Sequence, residues 1–262
     1  MHHFDEIIVL SRYKSDSSFS PHWTLASGDG MVFKKIENHS SLKSVLLPSR
    51  KNVIAIKEAL RGCDGVVIRL PSETGLITAK LARQMNIPYV VEVVACPWDA
   101  MVGYGSLKGL LYAPVLTWRV KQAIKKAWGA IYVTGSFLQK RYPNRHHVVS
   151  ASNVELLPTS AYVLNQRLHK ITASSSGPFK IGMIASLDSP HKGFNTLYQA
   201  IYRLKKRGFS IVLEITGAGS KFKNIKMIDE LSLRDNIIFS GPRTPGKDIF
   251  SFLDTVDLYV QP

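Results

Sequence analysis

The stretch GVVIRLPSETGLITAKLARQMNIPYVVEVV, residues 65–94, decides the fold. Its two short apolar runs, Gly65–Leu70 and Tyr89–Val94, read as buried strands. Between them Ser72 is placed to cap a helix over Glu73–Gln84. Strand, helix and strand in that order are the signature of a βαβ unit in a parallel sheet.

Outward from this unit the alternation continues. Ile7–Leu10, Ala130–Val133 and His147–Val149 read as further strands, and Val53, Ile56 and Leu60 mark a helix that stops at Gly62. From Ser152 the pattern dissolves, and Thr172–Pro178 is small, polar and broken, as a linker is. It restarts with strands near Lys180–Ala185, Ile211–Thr216, Asn236–Ser240 and Leu258–Val260, and helices near Phe194–Lys206, Lys223–Ser232 and Pro245–Leu253. The expected domains are residues 1–155, a linker over 156–178, and a second α/β domain over 179–262. Because the sequence stops directly after a strand, the second domain is expected to be incomplete.

Composition narrows the partners. The 262 residues are 45% hydrophobic and 20% charged, which excludes disordered and collagen-like chains. A formal net charge of +15 points to anionic partners. No acidic residue lies between Asp99 and Glu155, whereas Lys108, Arg119, Lys121, Lys125, Lys126, Lys140, Arg141 and Arg145 do. The two cysteines, Cys63 and Cys96, lack metal-ligand spacing and suggest no disulfide framework. The N-terminal apolar run is too short for a signal-peptide core and no run is long enough for a membrane span, so a cytoplasmic protein is expected. Stacking aromatics and base-reading modules are not evident, so nucleic acid is not expected among the partners.

In open α/β sheets ligands bind beyond the C-terminal ends of the strands, so the residues just after each run carry the chemistry. After Lys180–Ala185 come Ser186 and, before the helix at Phe194, Lys192-Gly193. Their backbone N–H groups and the Lys192 ammonium converge where a phosphate would sit, unless Lys192 is merely a solvated residue of a turn. After Ile211–Thr216, Gly217 and Gly219 leave room for a ligand against the backbone or make a tight turn. Pro242-Arg243 follow the next strand.

In the first domain Glu92 interrupts an apolar run, so it is functional or paired, with Arg69 on the adjoining strand the expected partner. Asp99 lies just beyond the strand end, where a ligand can be oriented, and Trp98 offers a flat apolar face. Cys96 reads as packing, and His146 and His147 as surface residues. From Leu107 to Ala127 a long helix is expected, broken or bent at Pro114, with Leu116, Val120, Ile124 and Ala127 on one face. Arg119, Lys121, Lys125 and Lys126 lie off that face. They form a solvated basic face or, with Leu110, Leu111 and Trp118, a peripheral contact with anionic membrane.

Lys180-Ile-Gly-Met-Ile-Ala-Ser-Leu, His191-Lys-Gly-Phe-Asn-Thr-Leu, Leu213-Glu-Ile-Thr-Gly-Ala-Gly, Asn236-Ile-Ile-Phe-Ser-Gly and Asp257-Leu-Tyr-Val-Gln-Pro stand in one order and spacing. They resemble the nucleotide-sugar half of a retaining glycosyltransferase of family 4, over nearly all residues from Lys180 to Pro262. Phe4–Arg12, Ile68–Ser72, Val91–Asp99 and Val133–Tyr142 resemble members acting in capsule, O-antigen or lipopolysaccharide synthesis.

The resemblance implies a GT-B fold, two Rossmann-like doubly wound domains facing a cleft, with the acceptor on the first and the donor on the second. It implies a nucleoside-diphosphate sugar as donor, a saccharide or lipid-linked saccharide as acceptor, and no cofactor or metal. Lys192, Asp99 and Glu92 are then the catalytic candidates. Ser186, Lys192, Gly193, Gly217, Gly219, Pro242 and Arg243 are the donor-binding candidates, and Arg69, Trp98 and Asp99 the acceptor-binding ones.

The chain departs from the family where Ser186-Leu187 replaces the usual phosphate-binding Arg. The family's Glu-x7-Glu segment would begin just past Pro262, and its glycine-rich first strand and loop would precede Phe4, so both ends are expected to be truncated. The alternatives are an inactive nucleotide-sugar or anion-binding module and a sugar-nucleotide epimerase of the same fold.

Overall fold

The computed structural model describes residues 4–12, 27–37, 49–103, 105–154, 160–173, 177–189 and 192–262. The chain divides into two compact units, Met1–Val102 with Ser106–Glu155, and Leu156–Pro262 with Gly103–Gly105. The strands of each unit pair only within it, and all pair in parallel. The α/β class with Rossmann-like parallel sheets is the one the alternation of runs predicts.

In the first unit β1 (Ile7–Arg12) pairs with β2 (Met31–Ile36). A four-stranded sheet follows in chain order, β3 (Val66–Leu70), β4 (Tyr89–Val93), β5 (Gly129–Tyr132) and β6 (His147–Ser150). The helices are α1 (Arg50–Leu60), α2 (Glu73–Gln84), α3 (Pro97–Gly103), α4 (Leu107–Lys125) and α5 (Phe137–Arg141). The βαβ reading of 65–94 holds in detail: Ser72 Oγ accepts from Gly75 N at 3.0 Å, satisfying one open N–H of α2. Ile68, Leu70, Val91, Val93, Ala130 and Tyr132 form the buried layer against Leu116, Val120 and Ile124 of α4. A smaller cluster, Ile36, Ile56, Leu60, Ile77 and Leu81, ties α1 and α2 to β2.

The long helix is not broken at Pro114, which lies inside α4. Proline removes an N–H whose partner would be the carbonyl of Leu110. Both residues are exposed, so water can reach the freed carbonyl, while Ala113 and Leu116 anchor the buried side.

The second unit contains α6 (Ala161–Thr172), β7 (Phe179–Ile184), α7 (Phe194–Lys206), β8 (Ile211–Thr216), α8 (Phe222–Glu230), β9 (Ile237–Gly241), α9 (Lys247–Thr255) and β10 (Leu258–Tyr259). Its sheet runs β10-β7-β8-β9, so the chain proceeds outward from β7 and then returns to β7's other side. Ile181, Met183, Leu213 and Ile215 pack on Leu197, Tyr198 and Ile201.

The segment expected to be a linker holds a helix. None of the residues of α6 is buried, yet it is fixed by polar contacts. Arg167 donates to the Val256 carbonyl at 2.6 Å and the Asp257 carbonyl at 2.5 Å, and Lys170 lies 3.3 Å from the Asp257 carboxylate. Linker residues 156–159 and 174–176 lie outside the described residues.

Candidate functional site

The second sheet changes direction between β7 and β10, and a crevice for ligands opens at such a reversal beyond the strands' C-terminal ends. Three loops meet there. After β7, Leu187 N donates to Ala218 O at 2.8 Å, joining residues 186–193 to the glycine loop after β8. Gly217 has φ +151°, and a Cβ there would lie 2.0 Å from the Ala185 carbonyl oxygen, so only glycine fits. A Cβ on Gly219 would meet the Asp188 side chain at 2.7 Å.

The third loop follows β10: a Cβ on Gly193 would stand 2.8 Å from the ring of Pro262. Gly193 caps α7 in a left-handed conformation, φ 71°, and has no side chain to cover the open N–H groups of the first turn. Beside them stands Lys192, half-buried, whose ammonium has no partner among the described residues. Open N–H groups beside a cation at a strand-order reversal can hold an anion. Ser186 is exposed at its rim, and Pro190 and His191 lie outside the described residues.

Pro242 is exposed after β9, and the carbonyl of Gly241 accepts from Gly217 N at 2.9 Å. Arg243 is not a free cation. Its guanidinium lies 3.1 Å from both Glu214 and Asp248 and over the Phe252 ring at 5.0 Å. Two carboxylates and an aromatic face commit its charge to fixing the start of α9.

In the first unit Arg69 and Glu92 are register partners on β3 and β4, with Nε and Oε2 3.6 Å apart, as expected of a pair. Glu92 is less enclosed than its apolar run suggests, its side chain being 27% exposed. Trp98 and Asp99 open α3, beyond the end of β4. Asp99 accepts from Arg141 Nη1 at 2.9 Å, and Arg141 in turn stacks on Phe137 at 5.5 Å. Cys96 is buried, with Sγ 3.0 Å from the Tyr142 hydroxyl, and reads as packing, as expected.

A contact that the sequence reading missed lies behind this face. Glu73 at the start of α2 accepts from the Tyr112 hydroxyl at 2.5 Å and pairs with Arg119 at 2.9 Å. Burial first, then the Glu73 contact, pushes the Tyr112 hydroxyl up to about 12. Arg119 is thus no member of a solvated face. It sits 46 residues from Glu73 in the chain, beyond any local pattern.

Comparison with known proteins bears on the second unit most directly. Residues 165–262 match the family of glycosyl transferases group 1. The match begins inside α6, so the resemblance seen from Lys180 onward extends into the segment read as linker. Protein CapJ of Staphylococcus aureus is 32% identical over 260 residues, 99% of this chain. The chain spans 64% of CapJ's length.

Among solved structures, a sucrose-phosphate synthase of Thermosynechococcus elongatus has a TM-score of 0.56 at 13% identity, covering 97% of this chain and 65% of that one. TarM has a TM-score of 0.52 at 15% identity, covering 79% and 39% respectively. At such identities these likenesses concern the fold.

Proposed function

We propose that the protein is a retaining glycosyltransferase of family 4 that passes a sugar from a nucleoside-diphosphate sugar to a hydroxyl of a saccharide or lipid-linked saccharide. One observation carries the reading: Lys192, without a partner among the described residues, beside the uncapped start of α7 at the reversal of the second sheet. The group 1 match over that unit and the likeness to CapJ support it. S. aureus TarM, a protein of similar fold, is known in complex with UDP.

Lys192 and the N–H groups of α7 neutralise the diphosphate as it departs, an electrostatic role that requires no metal ion. Ser186, Gly193, Gly217, Gly219 and Pro242 form the walls around it, and Arg243 steadies the adjoining loop. On the first unit Trp98 stacks on the acceptor sugar and Asp99 orients its hydroxyl. The Arg69–Glu92 pair shapes the neighbouring surface. The enzyme acts in the cytoplasm, held peripherally at the inner face of the membrane, and has no nucleic-acid partner.

Calorimetric titration with UDP and GDP tests the donor site. A charge-assisted contact contributes roughly 1.5–3 kcal/mol, so Lys192→Ala should lose about ten-fold or more in affinity. The exposed Lys226→Ala on α8 should match wild type. Equal affinities for the two variants, or no binding by wild type, would overturn the assignment.

A further inference from the structure

Helix α4 has two unlike faces. Ala113, Leu116, Val120, Ala123 and Ile124 are buried in the first unit's core. Opposite them Leu107, Leu110, Leu111, Val115 and Trp118 are exposed, Leu111 at 79% and Trp118 at 63%. With 3.6 residues per turn, Leu107, Leu111, Pro114 and Trp118 fall along one line of the helix surface. Lys121 and Lys125, also exposed, continue the same line toward its C-terminal end. Apolar surface therefore gives way to lysines along a single face, with an indole at the boundary, the Lys121 ammonium also lying 5.7 Å over the Tyr142 ring.

Two further observations identify what such a face meets. The helix's own charges have one sign, because no acidic residue occurs between Asp99 and Glu155, and the acid packed against it, Glu73, is taken up by Arg119 and Tyr112. The helix's one arginine, Arg119, is turned aside into the contact with Glu73 and Tyr112, which also locks α4 in rotation so that the apolar line stays outward. A protein partner would have to supply an apolar groove bordered by acids. An anionic bilayer presents hydrocarbon beneath a continuous layer of phosphates, and tryptophan favours the level between them.

We propose that this face of α4 lies in the headgroup layer of an anionic phospholipid membrane. Leu107, Leu110, Leu111 and Trp118 enter the acyl boundary, and Lys121 and Lys125 meet the phosphates. The inference rests on the peripheral attachment proposed above and assigns the surface that makes it. Among the described residues no helix is long and apolar enough to cross a membrane, so the contact is one of lying on the surface.

The test is sedimentation with vesicles of phosphatidylcholine alone and of phosphatidylcholine mixed with phosphatidylglycerol. Wild type should bind the mixed vesicles, less so in high salt, and bromine-labelled acyl chains should quench Trp118. Lys121→Glu with Lys125→Glu, and separately Leu111→Ser with Trp118→Ser, should each weaken binding about ten-fold or more with thermal unfolding unchanged.

Wild-type binding that neither pair of substitutions alters would place the membrane contact elsewhere and overturn this inference alone. Indifference to anionic vesicles at low salt would overturn peripheral attachment as well. Self-association in the absence of vesicles that Leu111→Ser abolishes would make a second copy the occupant instead. UDP titration of the same variants reports separately on the donor site.

Discussion

The two four-stranded sheets are built from the same alternation, yet among the described residues only one turns back on itself. In the first, β3-β4-β5-β6 follow chain order, and the acids near the strand ends are matched, Glu92 by Arg69 and Asp99 by Arg141. In the second, the order β10-β7-β8-β9 reverses, and Lys192 stands at the reversal with no partner among the described residues. A count of charges would send the search to the acid-free segment 100–154 of the first unit. Topology sends it to one lysine in the second.

The sharpest way to break that comparison is to compare glycines. Gly217→Val forces a side chain into the Ala185 carbonyl and should cost the second unit about 3 kcal/mol or more in urea unfolding. Gly135→Ala in the first unit meets nothing within 4 Å and should change stability by less than about 0.5 kcal/mol. Similar losses would mean that the loops at the reversal are not tightly fitted.

A smaller effect separates the first unit's ion pairs from one another. Arg119→Met leaves the Glu73 carboxylate and the Tyr112 hydroxyl partly buried without their cation, so about 2 kcal/mol should be lost from the denaturation midpoint. Arg69→Met removes a pair open to water, its side chain 63% exposed, and should cost at most about 1 kcal/mol. The reverse ranking would mean that the strand-end acids carry the structure.

The smallest effects lie at opposite ends of the pH scale. Tyr112, raised from 10.0 to about 12, contributes stability that is present below pH 10 and lost as pH climbs through about 12. Asp257 is lowered from 3.8 by the backbone N–H of Lys180, then by Lys170. Its contribution is present above pH 3.8 and lost as pH falls through the depressed value. Tyr112→Phe should therefore flatten the alkaline limb of the stability profile and Asp257→Asn the acid limb, each leaving the other limb unchanged.

Much of this architecture was legible because it is written in local pattern. The strands from Gly65 onward appear where their apolar runs stand, and Ser72 caps the helix it precedes. What escaped depends on partners far along the chain. Strand β2 carries an apolar run of only Met31-Val32-Phe33 before Lys34-Lys35, too short to read as a strand, and its pairing with β1 reveals it. Helix α6 does carry a period, Leu164, Leu168 and Ile171 at i, i+4 and i+7, but the broken stretches on either side of it drew the reading to a linker. At the site, the glycines and Lys192 were visible from spacing, and the Arg69–Glu92 pair from an acid in an apolar strand. The commitment of Arg243 to Glu214, 29 residues away, and of Arg119 to Glu73 left no local trace.

Strand β10 contributes only Leu258 and Tyr259 to the ladder, yet without it the second sheet has no reversal. It meets β7 across a long span of chain, Lys180 N reaching the Asp257 carboxylate 77 residues on at 2.8 Å. A short edge strand that closes so large a loop should dock late in folding and detach early in native fluctuations, because the entropy of closure is recovered by few contacts. The crevice then exists only while that edge is docked, and a nucleotide that fills it draws on the docked population. Its arrival should be readable as slowed deuterium exchange at the Val260 amide, which donates to Gly182 O at 2.9 Å. The amides of the central β8 should exchange at an unaltered rate.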